Sequence, residues 1–206
     1  MKPLPQGDRF EVTYEDVPLR SYDLTERIAS RDVSSVPYSG DKGYQLKDVS
    51  LGRISLDTFL AQLTDGELVC LVRGEGMSSP KATPGTAAAI GGITPALAHY
   101  GIPIGCFSDG PSGIRMDCGT KATSLPIGTA LGCTFNDELI RSLYACLGQE
   151  LRSFRIDSLL GPGINIHRCP LNGRNFEYIS EDPYLSGTIA CAQLQGRSEK
   201  HTSELQ

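Results

Sequence analysis

The side chains best able to do chemistry lie in two loops and in the tail. Asp109 closes the apolar run "GIPIGCFSD" and is followed at once by Gly110, Pro111 and Gly113, with Arg115 just beyond. Further on, "HRCPLNGRNFEYISEDPYLSG" is a long polar stretch carrying His167, Arg174, Glu177 and Glu181. The last ten residues add an adjacent pair, Lys200–His201. Carboxylates accept hydrogen bonds, guanidinium groups donate them in a fixed fork, and imidazole does either. Such groups suit the gripping of a polar ligand. Each also has a purely structural role open to it. Asp109 before Gly-Pro is a natural turn former. Arg115 can staple its loop to Asp117, and Arg174 can do the same with Glu177. His167 can be a satisfied buried histidine.

Several other chemistries are excluded. The 206 residues carry 19 Lys and Arg against 24 Asp and Glu, a formal net charge of −5. A mildly acidic chain without a basic cluster gives no support to a nucleic-acid partner. Gly74 and Gly76 lack the third glycine, the preceding strand and the helix start of a dinucleotide fingerprint. The seven cysteines are scattered with no C-x-x-C, and His99, His167 and His201 lie far apart, so no metal and no cofactor is expected. The cysteines read as small apolar residues of a reducing compartment. No apolar run reaches bilayer-spanning length, and "MKPLPQGDRFEV" has no signal-peptide core. We therefore expect no membrane partner and a cytoplasmic location.

The elements that must position Asp109 and Arg174 follow from apolar periodicity. Residues 1–50 are polar and rich in Pro, Gly and Ser, which predicts a linker or lead-in from an upstream domain. Leu56, Phe59, Leu60 and Leu63 form a helical stripe, and Thr64 with Glu67 makes a capping box opening a helix through Leu68, Leu71 and Val72. "GEGMSSPKATPGTAAAIGG" reads as loop. "GIPIGCFSD" is a short buried strand ended by an acid and a glycine-proline turn. Asn136 caps a helix whose stripe is Leu139, Ile140, Leu143, Tyr144, Leu147 and Leu151. "IDSLLGPGINI" reads as a second buried strand, residues 167–187 as loop, and "TIACAQLQG" as the start of another helix. This alternation of strands and helices predicts an α/β fold, with acids and arginines at the strand ends.

The motifs "SDGPSGIR" and "LLGPGINIHRCPLNGRNFEYISEDPYLSG" resemble the barrel domain of glycoside hydrolase family 3, the β-glucosidases and β-xylosidases, nearly without a break from Gly101 to Gly187. The lead-in "LVRGEGMSSPKATPGTAAAIGG" resembles a bacterial branch in which the barrel follows an α/β sandwich. The resemblance implies an incomplete (β/α)8 TIM barrel over residues 51–196. It also implies a retaining β-glycosidase of β-glucosidase type, acting on a small glycoside or oligosaccharide. By the same resemblance Asp109, Arg115 and Arg174 hold the sugar being cleaved, with Glu177 and His167 as further candidates. A sugar hydroxyl is donor and acceptor at once, and a carboxylate beside guanidinium forks satisfies both halves. Glu177 and Glu181 are not the catalytic pair of a retaining enzyme. They share one loop, whereas acid and nucleophile must face opposite sides of a glycosidic bond.

The family's nucleophile, an aspartate on a later strand, and its acid/base have no counterpart among these residues. The chain by itself is expected to be inactive, and its unclosed parallel sheet to be prone to aggregation. An alternative is a non-catalytic carbohydrate-binding protein on a decayed barrel, which gains if the gene stops at Gln206. Lys200–His201 resembles the family's sugar-contacting Lys-His pair but arrives early, with no strand before it. Residues 197–206 instead match the translation of a common sequencing-adapter read at every position except Lys200. We expect Arg197–Gln206 to be a non-native tail.

Overall fold

A computed structural model describes residues 2–6, 9–13, 23–31 and 35–201. They fall in two compact units, Met1–Val36 and Pro37–Gln206. In the first, β1 (Lys2–Gln6) pairs antiparallel with β2 (Arg9–Thr13), in register from Lys2 opposite Thr13 to Gln6 opposite Arg9. A six-residue helix, α1 (Leu24–Ala29), starts at Asp23, whose Oδ1 accepts from the Thr25 and Glu26 amides at 2.8 and 3.1 Å. This stretch was expected to be irregular. Pro3 and Pro5 hide β1 from pattern reading, yet a two-stranded sheet consists only of edges, where proline is tolerated.

The second unit begins at Pro37, inside the expected lead-in. Two contacts anchor this start: the Ser39 amide donates to the Ala61 carbonyl at 2.7 Å, and Gln62 is fully buried. Its Oε1 accepts from the amides of Lys42 and Tyr44 at 3.3 and 3.1 Å, and its Nε2 donates to the Tyr44 carbonyl at 2.8 Å. The polar start of the unit, which leads into α2 (Leu46–Ser50), is thereby tied to the turn between α3 (Leu56–Leu60) and α4 (Asp65–Arg73). The capping box of α4 forms as expected: the Glu67 amide donates to Thr64 Oγ1 at 3.3 Å, and Glu67 Oε2 accepts from the Thr64 amide at 2.7 Å. The expected apolar stripe is narrower than its letters, since Val72 is 90% exposed at the helix's last turn.

Three strands form the sheet, in the order β3 (Ala88–Gly91), β4 (Ile104–Asp109), β5 (Ser158–Leu160). β4 and β5 are parallel, with α6 (Gly128–Gly132) and α7 (Asp137–Ser153) between them, which is the α/β crossover that was expected. β3 was not expected. It lies within the glycine-rich stretch read as loop and runs antiparallel to β4. Its Ala-Ala-Ile-Gly sequence carries little strand propensity, and the short connection through α5 (Pro95–His99) turns the chain back on itself. β5 is shorter than "IDSLLGPGINI" suggests, because Gly161 and Pro162 interrupt pairing.

The buried core has two parts. Phe59, Leu63, Ala89, Ile93, Leu97 and Tyr100 make one. The larger one gathers Ile140, Tyr144, Leu147 and Leu151 of α7 with Ile156, Leu159 and Ile189. Asn136 caps α7 as expected, its Oδ1 accepting from the Leu139 amide at 3.0 Å. Leu139 itself stays 54% exposed. The last helix, α8 (Pro183–His201), begins five residues before Thr188, where it was expected. Asp182 accepts from the Tyr184 amide at 3.0 Å, and Pro183 presets the first turn.

The helix also runs on through Arg197. Arg197–His201, the first residues of the tail expected to be non-native, have the conformation of α8, since nothing among them breaks a helix. Gly196 lets α8 close on α7, since a Cβ there would stand 2.1 Å from the Arg141 carbonyl oxygen. Arg197 reaches the Gly161 carbonyl at 3.3 Å. The side chains of Glu199, Lys200 and His201, and residues 202–206, lie outside what the structure describes.

Candidate functional site

Asp109 sits at the C-terminal end of β4 and Leu160 at that of β5, and both open onto one cleft of about 870 Å³. The turn after Asp109 is built from its own backbone. The Arg115 amide donates to the Asp109 carbonyl at 2.8 Å, and the buried Ser108 hydroxyl donates to the Arg115 carbonyl at 3.1 Å. Gly110 is required here, because a Cβ would stand 1.8 Å from the Gly113 carbonyl oxygen. The tight reversal brings Arg115 back beside Asp109, with Nη1 3.8 Å from Oδ2. Arg115 Nε donates to Asp117 Oδ1 at 3.1 Å, so the staple to Asp117 also forms.

Further lining residues come from the polar loop after β5. Arg174 leads into a short 3₁₀ turn (Asn175–Glu177), and its Nε donates to Glu177 Oε1. The bond to Glu177 holds Arg174 above its ordinary pKa, so the guanidinium stays charged. Asp109, Arg115, Arg174 and Glu177 all line the cleft, joined by Asp117, Asn165, Tyr178, Met77 and Phe176. The arrangement pairs acceptors with donor forks around one space, which suits a ligand carrying several hydroxyls.

His167 is not among the lining residues. Its amide donates to the Ser180 carbonyl at 3.2 Å and its ring centroid stands 6.3 Å from that of Tyr178, a lining residue. Glu181 is exposed and also stands outside the lining. Sequence reasoning passed over Met77 and Phe176, 66% and 54% exposed, and over Asn165. Met77 is brought in from before β3 by the fold, and no local pattern signals it. Among the described residues no group of His, Cys, Asp and Glu could hold a metal ion, and no helix is long and apolar enough to cross a membrane.

The profile of the glycosyl hydrolase family 3 N terminal domain matches residues 40–204. The chain belongs to glycoside hydrolase family 3. This family 3 chain is similar to a beta-glucosidase of Ruminococcus albus, 58% identical over 185 residues that make up 90% of the chain and 20% of the relative. Among solved structures it is similar to a beta-glucosidase from Paenibacillus barengoltzii, with a TM-score of 0.85 and 54% identity over 97% of this chain and 22% of that one. Beta-glucosidase 3B from Thermotoga neapolitana, solved in complex with glucose, gives a TM-score of 0.61 at 35% identity over 70% of this chain and 21% of that one. The family 3 chain thus spans about a fifth of the length of these relatives. The match from residue 40 includes part of the expected lead-in, in keeping with a compact unit that starts at Pro37.

Proposed function

We propose that this chain is the sugar-gripping part of a retaining β-glycosidase of β-glucosidase type, which removes terminal non-reducing β-D-glucosyl residues. One observation carries the reading. Asp109, Arg115 and Arg174, from two loops far apart in sequence, line a single cleft at the ends of parallel strands. The chain's relatives are beta-glucosidases, one of them solved with glucose. In this reading β4, α7 and β5 belong to a (β/α)8 barrel, and the cleft is part of its active face. Asp109 accepts from sugar hydroxyls while Arg115 and Arg174 donate to them, which sets the ring's orientation. Sequence other than these 206 residues supplies the attacking aspartate and the acid/base carboxylate of a double displacement.

The test is a glucose titration of the 206-residue chain followed by nuclear magnetic resonance, beside an assay with p-nitrophenyl β-D-glucoside. Saturable shifts confined to cleft residues, lost in Asp109→Ala, are expected, with no release of p-nitrophenol. A folded chain that ignores glucose overturns the binding role. Turnover that depends on Asp109 overturns the assignment of bond breaking to other sequence.

A further inference from the structure

We propose that Glu177 is a positioning residue: it clamps the Nε of Arg174 so that both terminal nitrogens of the guanidinium are presented to the cleft. The inference rests on the sugar-gripping reading of that cleft and adds a residue that acts through another. Three observations carry it. The first is the contrast in exposure across the pair, 10% for the Glu177 side chain and 68% for that of Arg174. The acid is fixed in the protein while the base reaches out of it.

The second is how firmly Glu177 is held. Its amide donates to the Arg174 carbonyl at 3.2 Å, closing the turn that carries both residues. Its carbonyl lies against Gly128 of α6 and Gly163 after β5, where added Cβ atoms would stand 2.3 and 2.8 Å from the oxygen. Thr129 Oγ1 donates to the next carbonyl, that of Tyr178, at 2.9 Å. An acid anchored in this way gives a long side chain a fixed point. Free arginine loses roughly 2 kcal/mol of rotamer freedom when it is ordered.

The third is which nitrogen is used. Glu177 takes Nε, and among the described residues the terminal nitrogens of Arg174 make no hydrogen bond or ion pair. A side-on clamp therefore leaves the forward fork available, whereas an end-on pair would consume it. Arg115 also gives its Nε to an acid, Asp117, but its Nη1 stands 3.8 Å from Asp109 Oδ2, so there the fork is partly engaged.

Arginine side-chain spectra of the ¹⁵N-labelled chain test the clamp, with Arg174 identified by the signal lost in Arg174→Lys. The Nε–H of Arg174 is expected to be shifted downfield and slow to exchange with water. Both features should weaken in Glu177→Gln, whose neutral amide oxygen is the poorer acceptor, and be lost in Glu177→Ala, with an otherwise unchanged backbone amide spectrum as the folding control. An Nε–H that is the same in wild type and Glu177→Gln overturns the proposal, whether or not glucose binds. Where glucose binds, Glu177→Gln should weaken it about tenfold. It should weaken it no further in an Arg174→Ala background. An equal further loss in that background would mean that Glu177 acts on the sugar directly, and would overturn the positioning role. Failure of glucose to bind wild type defeats the reading of the cleft, while the Nε–H signal still decides the clamp.

Discussion

At Gly110 the chain has no room for a side chain, and the consequence is functional. The Asp109–Arg115 turn closes on itself through the Arg115 amide and the Ser108 hydroxyl, and a Cβ at Gly110 would meet the Gly113 carbonyl oxygen at 1.8 Å. Gly110→Ala must therefore open the turn. We expect a loss of roughly 3 kcal/mol in urea unfolding, together with movement of the Asp109 and Arg115 signals. Were the same variant to keep wild-type stability, the turn would be looser than its contacts imply. Asp109, Arg115, Arg174 and Glu177 could each be read from sequence as loop staples or as ligand contacts. The structure shows the Arg115–Asp117 and Arg174–Glu177 staples and also puts Asp109, Arg115, Arg174 and Glu177 on the cleft, so stapling does not take a side chain out of the cleft lining.

The helix α7 connects the two strands whose ends carry the cleft, and its placement rests on a cap and a buried face. Loss of the Asn136 side chain in Asn136→Ala should cost about 1 kcal/mol by chemical denaturation. On the buried face, the Tyr144 hydroxyl donates to the Pro111 carbonyl at 3.3 Å, linking the helix to the turn after Asp109. Burial pushes the Tyr144 phenol up to about 12, above the ordinary value near 10. The folded chain thus holds this proton more tightly than the unfolded chain. Its contribution is fully present below about pH 10 and is lost as pH rises towards about 12, by roughly 3 kcal/mol. Tyr144→Phe should flatten that alkaline fall. Unfolding free energies measured across this window check it, and an equally steep fall in the variant would assign the effect to other groups.

For the second unit as a whole, the larger core and the sheet edge set opposite tendencies. Leu147 is 2% exposed inside the cluster that joins α7 to Leu159 of β5 and Ile189 of α8. Leu147→Ala should lower stability by about 2–5 kcal/mol in the same denaturation assay. Among the described residues, β5 has a strand partner on one side only, and Leu160 and Ile164 beside it are 49% and 53% exposed. An open apolar edge of this kind favours pairing with another chain. Sedimentation should show concentration-dependent association of the 206-residue chain, reduced by Leu160→Lys. A strictly monomeric chain at high concentration would show that this edge is protected.

What the sequence by itself determined is local or motif-borne: the Thr64–Glu67 box, the Asn136 cap, the buried face of α7, the strand ending at Asp109, and the family. Each depends on residues near one another in the chain or on a long ordered motif. The tertiary structure decided what depends on distant partners. It placed the start of the second unit at Pro37, anchored residues 42–44 on Gln62, added β3 antiparallel to β4, and carried α8 through Arg197. It also brought Arg174 and Asp109 to one cleft. A buried glutamine bonding backbone far away, or an alanine strand borrowing its order from a neighbour, leaves no periodic trace in its own segment. The apolar stripes and caps specify elements, whereas only packing sets which elements meet.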